Sequence, residues 1–479
     1  MLKTTEIKQF IDEHMSSVKY QDSKKALHYY EGRHDIKDYK IYYYNSDGLL
    51  EEDTTRSNMT ISHPFFTEQV DQCTQYMLSK KDRYALSDDQ KLQAELDKYY
   101  DDDFKRELSD LLTYTKVEGD SYLYRYVDED YQTRFKFADG LNVVEVPSKY
   151  ASDKLDHVIY YYFYKKEKNR NIFKIEVWDS EQVYFYKMFD STIMLDKEVE
   201  INPRPHVMYS ENDKTYYDTF NDVPFLRLDN NRKRTSDLYV IKDLIDDYDL
   251  MACGLSNNLQ DVAEGIYVVK GWQGDNLDEL TRNIKTKKQV SVGEGGDLDI
   301  KTINIPYQAR QVKLGLDEVN IYRFGMAFNT AQMGDGNVTN VVIRSRYALL
   351  DLKCNKFEHQ LLKLMKKVNK IVIDEINTKN NTAYSYNDVW FDFEREIMTN
   401  ALDNAQMEQI KAQTQQIEIN TLMALASKIG DDLLIERVCE VLDLDYNDVK
   451  SKIAQNAPID LEQASNDLMA QEVADEQVA

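Results

Sequence analysis

Breakers are scarce in this chain: 7 prolines and 16 glycines in 479 residues. Long uninterrupted helices are therefore open to it. Cysteine is scarcer still, and Cys73, Cys253, Cys354 and Cys439 stand far apart with no CxxC pair. That spacing excludes a disulfide framework or a cysteine-based zinc cluster, and fits reduced, buried thiols in a product of the cytoplasm. No apolar run approaches the roughly 20 residues of a membrane span, and the charged, amphipathic stretch from Met1 to His14 is not a signal peptide. A soluble chain with no membrane partner is expected. Positive charge is also short, 60 Lys and Arg against 85 Asp and Glu, for a net charge of −25. This excludes wrapping nucleic acid by charge attraction, but not a mostly repulsive wall along which a polyanion slides without sticking. The catalytic signatures are missing too. There is no Gly-Lys dipeptide to close a phosphate-binding loop, no His-Glu-x-x-His and no Gly-x-Ser-x-Gly.

What is present is material for cores, with 42% hydrophobic residues and 35 tyrosines, and length for two to four modules. The dominant stretch runs from Val341 to about Asn377. Ile343, Tyr347, Leu350, Cys354, Phe357, Leu361, Leu364, Val368 and Ile371 recur in steps of four and three, an apolar seam along a helix about 50 Å long. Its other face carries Arg344, Arg346, Lys353, Lys356, Lys363, Lys366, Lys367 and Lys370. Two readings of that face stand side by side: a solvated lysine-rich surface, or a basic face that meets an acidic neighbour or nucleic acid.

Ahead of this helix the chain alternates in kind. Helices are expected over Thr4–Glu31, Ser57–Lys80, Asp89–Tyr100 and Asp103–Glu118, with Phe66, Val70, Cys73, Tyr76 and Met77 inward on the second. Between Asp120 and Met208 the period falls to two, as Tyr122, Tyr124 and Tyr126 illustrate, and predicts an antiparallel meander. Val223-Pro224-Phe225 reads as a break. Ser236 to about Glu264 is helical again, capped by Ser236 or Asp237. A small unit follows: a strand at Ile266–Val269, a helix at Asn276–Ile284, and strands at Gln289–Val292 and Leu298–Ile303. A helix from Tyr307 to Phe328 then leads into an irregular loop. Beyond the long helix come a strand at Val389–Phe393, helices from Met398 to Ile453, and an acidic tail. The fold class is α+β and predominantly helical. Asp101, Asp102 and Asp103 sit where a helix N-terminus favours acids, the alternative being a metal site. His63 and His359 have no partner at ligand spacing and are assigned to structure.

In this order, the parts resemble the portal proteins of tailed bacteriophages, in the SPP1-like branch of phages of Gram-positive bacteria. The likeness is carried by NMTISHPFFTEQVDQCTQYML from Asn58, VPFLRLDNN from Val223, SDLYVIKDLIDDYDLMACGLSNNLQDVAEGIYVVKG from Ser236, and RSRYALLDLKCNKFEHQL running into the long helix. The resemblance implies a portal fold: a wing at 1–235, a stem helix at 236–264, a clip at 265–306, and a second stem helix at 307–328. A tunnel loop at 329–340, a long wing helix and strand at 341–397, a helical crown at 398–455 and an acidic tail at 456–479 complete it.

It also implies a non-enzymatic ring, a dodecamer, at one vertex of the virion capsid, through which double-stranded DNA is packaged and ejected. The partners implied are terminase large subunit, scaffold and major capsid proteins, and a head-completion or adaptor protein, with no cofactor and no metal. On that footing Gln332, Met333, Asp335 and Asn337 of the loop face DNA, and Arg310 and Lys313 form basic rings in the stem. Asp275, Glu279, Lys285, Lys287 and Lys288 of the clip meet terminase or adaptor. The competing readings are a head-tail adaptor or scaffolding protein with a long helix, and a metal-dependent nuclease built on Asp101 to Asp103.

Overall fold

The structure is a computed structural model that describes residues 1–450 apart from 55, 80–82, 152–153, 168–169, 212–213, 263–265, 271, 273–275, 277–279, 281–292, 302–305, 331–339, 394, 396–400, 443–445 and 447–448. The chain divides into two units, Met1–Gly334 with Arg346–Ile397, and Asp335–Ser345 with Met398–Ala479.

The first helical stretch is broken in two, α1 (Thr4–Ser16) and α2 (Val18–Tyr30), because Ser17 takes extended backbone and its side chain accepts the Tyr20 amide. A short hairpin, β1 (Tyr42–Tyr44) and β2 (Leu50–Glu52), turns on Asn45 to Gly48. Next come α3 (Phe65–Met77), β3 (Ala85–Leu86), α4 (Gln90–Tyr99) and α5 (Asp102–Glu118). All five apolar residues expected inward on α3 are buried. Asp101 caps α5 by accepting the Phe104 amide, while Asp102 and Asp103 occupy its first turn. Gly119 closes α5 at φ +97, and a Cβ there would lie 2.3 Å from the Arg234 carbonyl oxygen, so both backbone angle and space call for glycine.

The period-two region forms two sheets rather than one meander. Strands β6 (Val143–Pro147), β7 (Leu155–Glu167), β8 (Arg170–Trp178), β9 (Gln182–Phe189) and β10 (Thr192–Leu195) do lie in meander order, with β11 (Arg204–Pro205) beside β9. The two strands ahead of them, β4 (Asp120–Val127) and β5 (Thr133–Asp139), stand apart. The break holds at Val223 and Pro224, but Phe225 opens a strand, β14 (Phe225–Asp229), which pairs with the free edge of β4 in the register Phe225↔Tyr124 to Asp229↔Asp120. With both edges of β4 taken, the meander packs against this sheet face to face. Val143, Val158, Trp178 and Val183 meet Tyr122, Ala138 and Phe225, while the alternate residues Val144, Ile159, Ile175 and Tyr186 bury Ile7 and Ile11 of α1. Between the sheets in sequence lies a separate hairpin, β12 (Val207–Glu211) and β13 (Lys214–Asp218).

A 3-10 turn, Asp237–Val240, then opens α6 (Lys242–Val262). β15 (Ile266–Lys270) and β16 (Asp297–Lys301) pair antiparallel, so the outer strands of the small unit are present. Its helix and third strand lie outside the described residues. α7 (Tyr307–Gly325) returns, and α8 (Asn340–Asn380) is the long helix, which at 41 residues spans roughly 60 Å. Its seam is as expected. Leu350, Cys354, Phe357, Leu361, Leu364 and Val368 are buried at the centre of the largest core, joined by Met365, Val372, Ile373 and Ile376, with Tyr347 and Ile371 partly buried beside them. β17 (Trp390–Phe391) pairs with β3 across the chain. In the second unit, α9 (Ala401–Ile429) and α10 (Asp431–Leu442) are tied by the Gln415 side chain donating to the Val441 carbonyl at 3.0 Å. The acidic tail lies outside the described residues.

Candidate functional site

Amphipathic periodicity makes α6 and α7 helices, and chemistry along their shared face pairs them antiparallel. Lys313 of α7 places its ammonium 2.5 Å from Asp247 of α6 and 2.5 Å from Asp317, one turn on along its own helix. Further along, a Cβ on Gly254 would stand 3.4 Å from a guanidinium nitrogen of Arg310, so the arginine head lies over the glycine. The two stem cations expected from sequence thus lie on one face. Two carboxylates take up the charge of Lys313, and its pKa is raised by the bonds to Asp247 and Asp317. The face of α7 away from α6 is different. Val312, Leu316 and Val319, at steps of four and three, are 63%, 57% and 45% exposed. That is an apolar stripe left uncovered among the described residues.

The same helices are pinned to the core at one end. Lys353 of α8, one residue from the seam, turns inward and places its ammonium 2.8 Å from Asp237 at the start of the α6 segment. It also donates to the carbonyl of Gly325, the last residue of α7, at 3.0 Å. Lys116 of α5 stands 3.7 Å from Asp237 on the other side and lies over the Phe357 ring, and the Asn230 side-chain amide donates to the second Asp237 oxygen at 2.8 Å. Lys353 therefore does not belong to the outer basic face. A buried carboxylate draws it in, while Lys356, Lys363, Lys366, Lys367 and Lys370 are exposed. Burial works against the charge of Asp237, but Lys116, Lys353 and the Asn230 bond hold its pKa below the ordinary carboxylate range. A cation at the end of α7 also complements that helix's dipole.

Three residues of α3 hold the end of α7. Glu68 accepts the Tyr322 hydroxyl, Gln69 donates to the Ile321 carbonyl, and Gln72 both donates to and accepts from the Phe328 backbone, at 2.9 and 3.1 Å. The Phe328 ring stacks on Tyr347 of α8 at 4.6 Å between centroids. The chain thus enters the loop from a fixed point. Gln332, Met333, Asp335 and Asn337 lie outside the described residues, as do Asp275, Glu279, Lys285, Lys287 and Lys288.

An extended segment ahead of α3 runs along α6. The backbone amides of Ser57, Met59, Ile61 and His63 donate in turn to Asp261, Asn257, Cys253 and Asp249. Two extended residues rise about 6.6 Å and four helical residues about 6 Å, so alternate amides keep step with one stripe of the helix. Asp249 is the anchor: His34 and His63 each place Nδ1 against it, at 2.6 and 2.7 Å. Burial opposes its ionisation, and the two histidine bonds keep its pKa below the usual value. His63 thus has the structural place expected of it, with a partner 186 residues away that no local spacing reveals.

A family model described as "Phage portal protein, SPP1 Gp6-like" matches residues 9–443. The chain belongs to this family. Among curated relatives, the portal protein of Bacillus phage SPP1 is 28% identical over 360 residues, 75% of this chain and 70% of that protein. That of Clostridium phage phiCD119 is 25% identical over 401 residues, 78% and 85%. The neck of an empty GTA particle aligns over 80% of this chain and 90% of that one at 11% identity and a TM-score of 0.39, too low to support an argument. A phage portal protein is a structural component of the virion capsid, and the α+β architecture described above is the one this member has. Among the described residues no helix is long and apolar enough to cross a membrane.

Proposed function

We propose that this portal protein assembles as a closed ring of identical subunits, a dodecamer, at one capsid vertex, and that double-stranded DNA enters and leaves through its central channel. The observation that carries this reading is the exposed apolar stripe Val312, Leu316 and Val319 on α7. An amphipathic helix that turns apolar residues away from its own chain is completed by a neighbouring copy, and a head-to-tail contact repeated by rotation closes into a ring.

In this reading residues 1–235 and 341–397 form the wing, α6 and α7 the stem, 265–306 the clip, 329–340 the tunnel loop and 398–455 the crown. The clip docks the large terminase subunit and afterwards a head-completion or adaptor protein through Asp275, Glu279, Lys285, Lys287 and Lys288. Scaffold and major capsid proteins meet the outside of the ring. Gln332, Met333, Asp335 and Asn337 touch DNA from the loop. In the stem, Lys313 is engaged by two carboxylates, so of the two cations Arg310 is the one that meets phosphate. The net charge of −25 makes the ring as a whole repulsive to a polyanion, which keeps it moving.

Native mass and negative-stain images of the purified protein test the assembly. Rings with a central hole wide enough for a duplex are expected. A monomer or dimer that stays unassembled with scaffold and capsid protein overturns the ring. Arg310→Ala in assembled rings is expected to alter DNA packaging or retention while leaving the ring intact, and failure of assembly itself would remove Arg310 from the channel.

A further inference from the structure

Cys73 of α3 and Cys354 of α8 are 281 residues apart in sequence, yet their Sγ atoms are 3.5 Å apart in the core. The other two thiols stand elsewhere: Cys253 Sγ donates to the Ile61 carbonyl, and Cys439 is in the second unit. The ammonium groups of Lys116 and Lys353 act on the pair from α5 and α8, opposed by the Asp237 carboxylate between them. Either sulfur can donate the hydrogen bond between them. That bond and the two lysines draw the Cys73 pKa down against the effect of burial, and the bond and burial push Cys354 up. A sulfenic acid formed on one sulfur has the other thiol beside it to resolve it.

We propose that Cys73 and Cys354 are a redox pair that a hydroperoxide converts to an intrachain disulfide, fastening α3 to α8 beside the Lys353–Asp237 joint. The Cys73 thiolate attacks one peroxide oxygen and the O–O bond breaks. Cys73 becomes a sulfenic acid, and the departing hydroxide takes a proton to give water. The Cys354 sulfur then attacks the sulfenic sulfur. An S–S bond forms, the sulfenic hydroxide leaves, and the Cys354 proton makes it a second water. Two thiols supply two electrons and one hydrogen peroxide accepts them. The sulfurs must close from 3.5 Å to about 2.05 Å for the bond to form.

The folded full-length chain is incubated with hydrogen peroxide, denatured in an alkylating reagent, digested without reductant and mapped by mass spectrometry. The expected product is one linked peptide pair carrying Cys73 and Cys354, released by dithiothreitol, with Cys253 and Cys439 recovered alkylated. The oxidised chain is expected to melt a few degrees higher than the reduced one. Cys354→Ser should leave Cys73 as a sulfenic acid trapped by dimedone. Recovery of both Cys73 and Cys354 alkylated, in a tube where an added thiol peptide is fully oxidised, overturns the proposal. So does linkage of Cys73 to Cys253 or Cys439. The wild-type map decides the matter by itself if the serine variant fails to fold.

Discussion

Lys353 and Lys313 are lysines on two helices of the same unit, each between two elements and each against an aspartate, yet they sit in opposite surroundings. The Lys353 side chain is 11% exposed and next to a seam whose apolar residues from Tyr347 to Ile371 pack into the core. Lys313 is 41% exposed, on a helix whose apolar stripe points out of the chain. The seam of the long helix is covered by its own subunit, although Leu349 and Leu352 beside it stay exposed, whereas the apolar stripe of α7 as a whole faces outward. The comparison teaches where this chain keeps its stability and where it leaves room for another copy.

The largest effect is expected from breaking the buried joint. Lys353→Ala should lower unfolding stability by about 3–5 kcal/mol in urea titrations, because it leaves the largely buried Asp237 carboxylate with the Asn230 amide and with Lys116 only at longer range. Leu361→Ala on the seam, fully buried, is expected to cost about 2–5 kcal/mol by the same measurement. Lys313→Ala should cost about 1–3 kcal/mol, since Lys313 and Asp247 are about two-fifths exposed and screened by water but Asp317 is buried and loses its cation. Equal losses at Lys353 and Lys313 would erase the distinction. Smallest in stability, at about 0.5 kcal/mol or less, should be Val312→Asp with Leu316→Asp. Native mass should nonetheless show these subunits failing to assemble, and rings of unchanged size would show that the stripe is not the contact.

The joint also has a pH signature. The Asp237 carboxyl has a lower pKa in the folded chain than in the unfolded one. Its contribution is therefore complete above the unfolded value, about 3.9, and is lost as pH falls through the depressed folded value. The Lys353 pKa is raised, by Asp237 against the effect of burial, so its contribution is present below the unfolded lysine value and is lost only in strong base. Stability against pH, measured by denaturant titration for wild type and Asp237→Asn, should show the variant with a shallower loss on the acid side and a lower plateau at neutral pH.

Much of this was legible in the chain. The seam of α8, the inward residues of α3, the acids at the N-terminus of α5 and the two outer strands of the small unit followed from periodicity and breakers, which act within a few residues. What was missed depends on pairing at a distance. Val223-Pro224-Phe225 read as a break because proline is rare in strands, yet Phe225 opens β14, where β4 offered an open edge. Lys353 was placed on the basic face because its neighbours in sequence are there, and only Asp237, far away along the chain, explains why it turns inward. Ser236 and Asp237 were both candidates for a helix cap. The structure gives the cap to Ser236, which accepts the Leu238 amide, and frees Asp237 for the lysines.

The sequence by itself determined which segments are helix or strand, which residues of each face a core, and the order of parts that places the chain among phage portal proteins, because these rest on local backbone preference and on the spacing of apolar side chains. Only the tertiary structure decided that the strands split into two facing sheets, that Asp237 gathers Lys116 and Lys353, that His34 and His63 share Asp249, and that Cys73 meets Cys354. Each of those is a contact between residues far apart along the chain, which folding brings within bonding distance and no local pattern encodes.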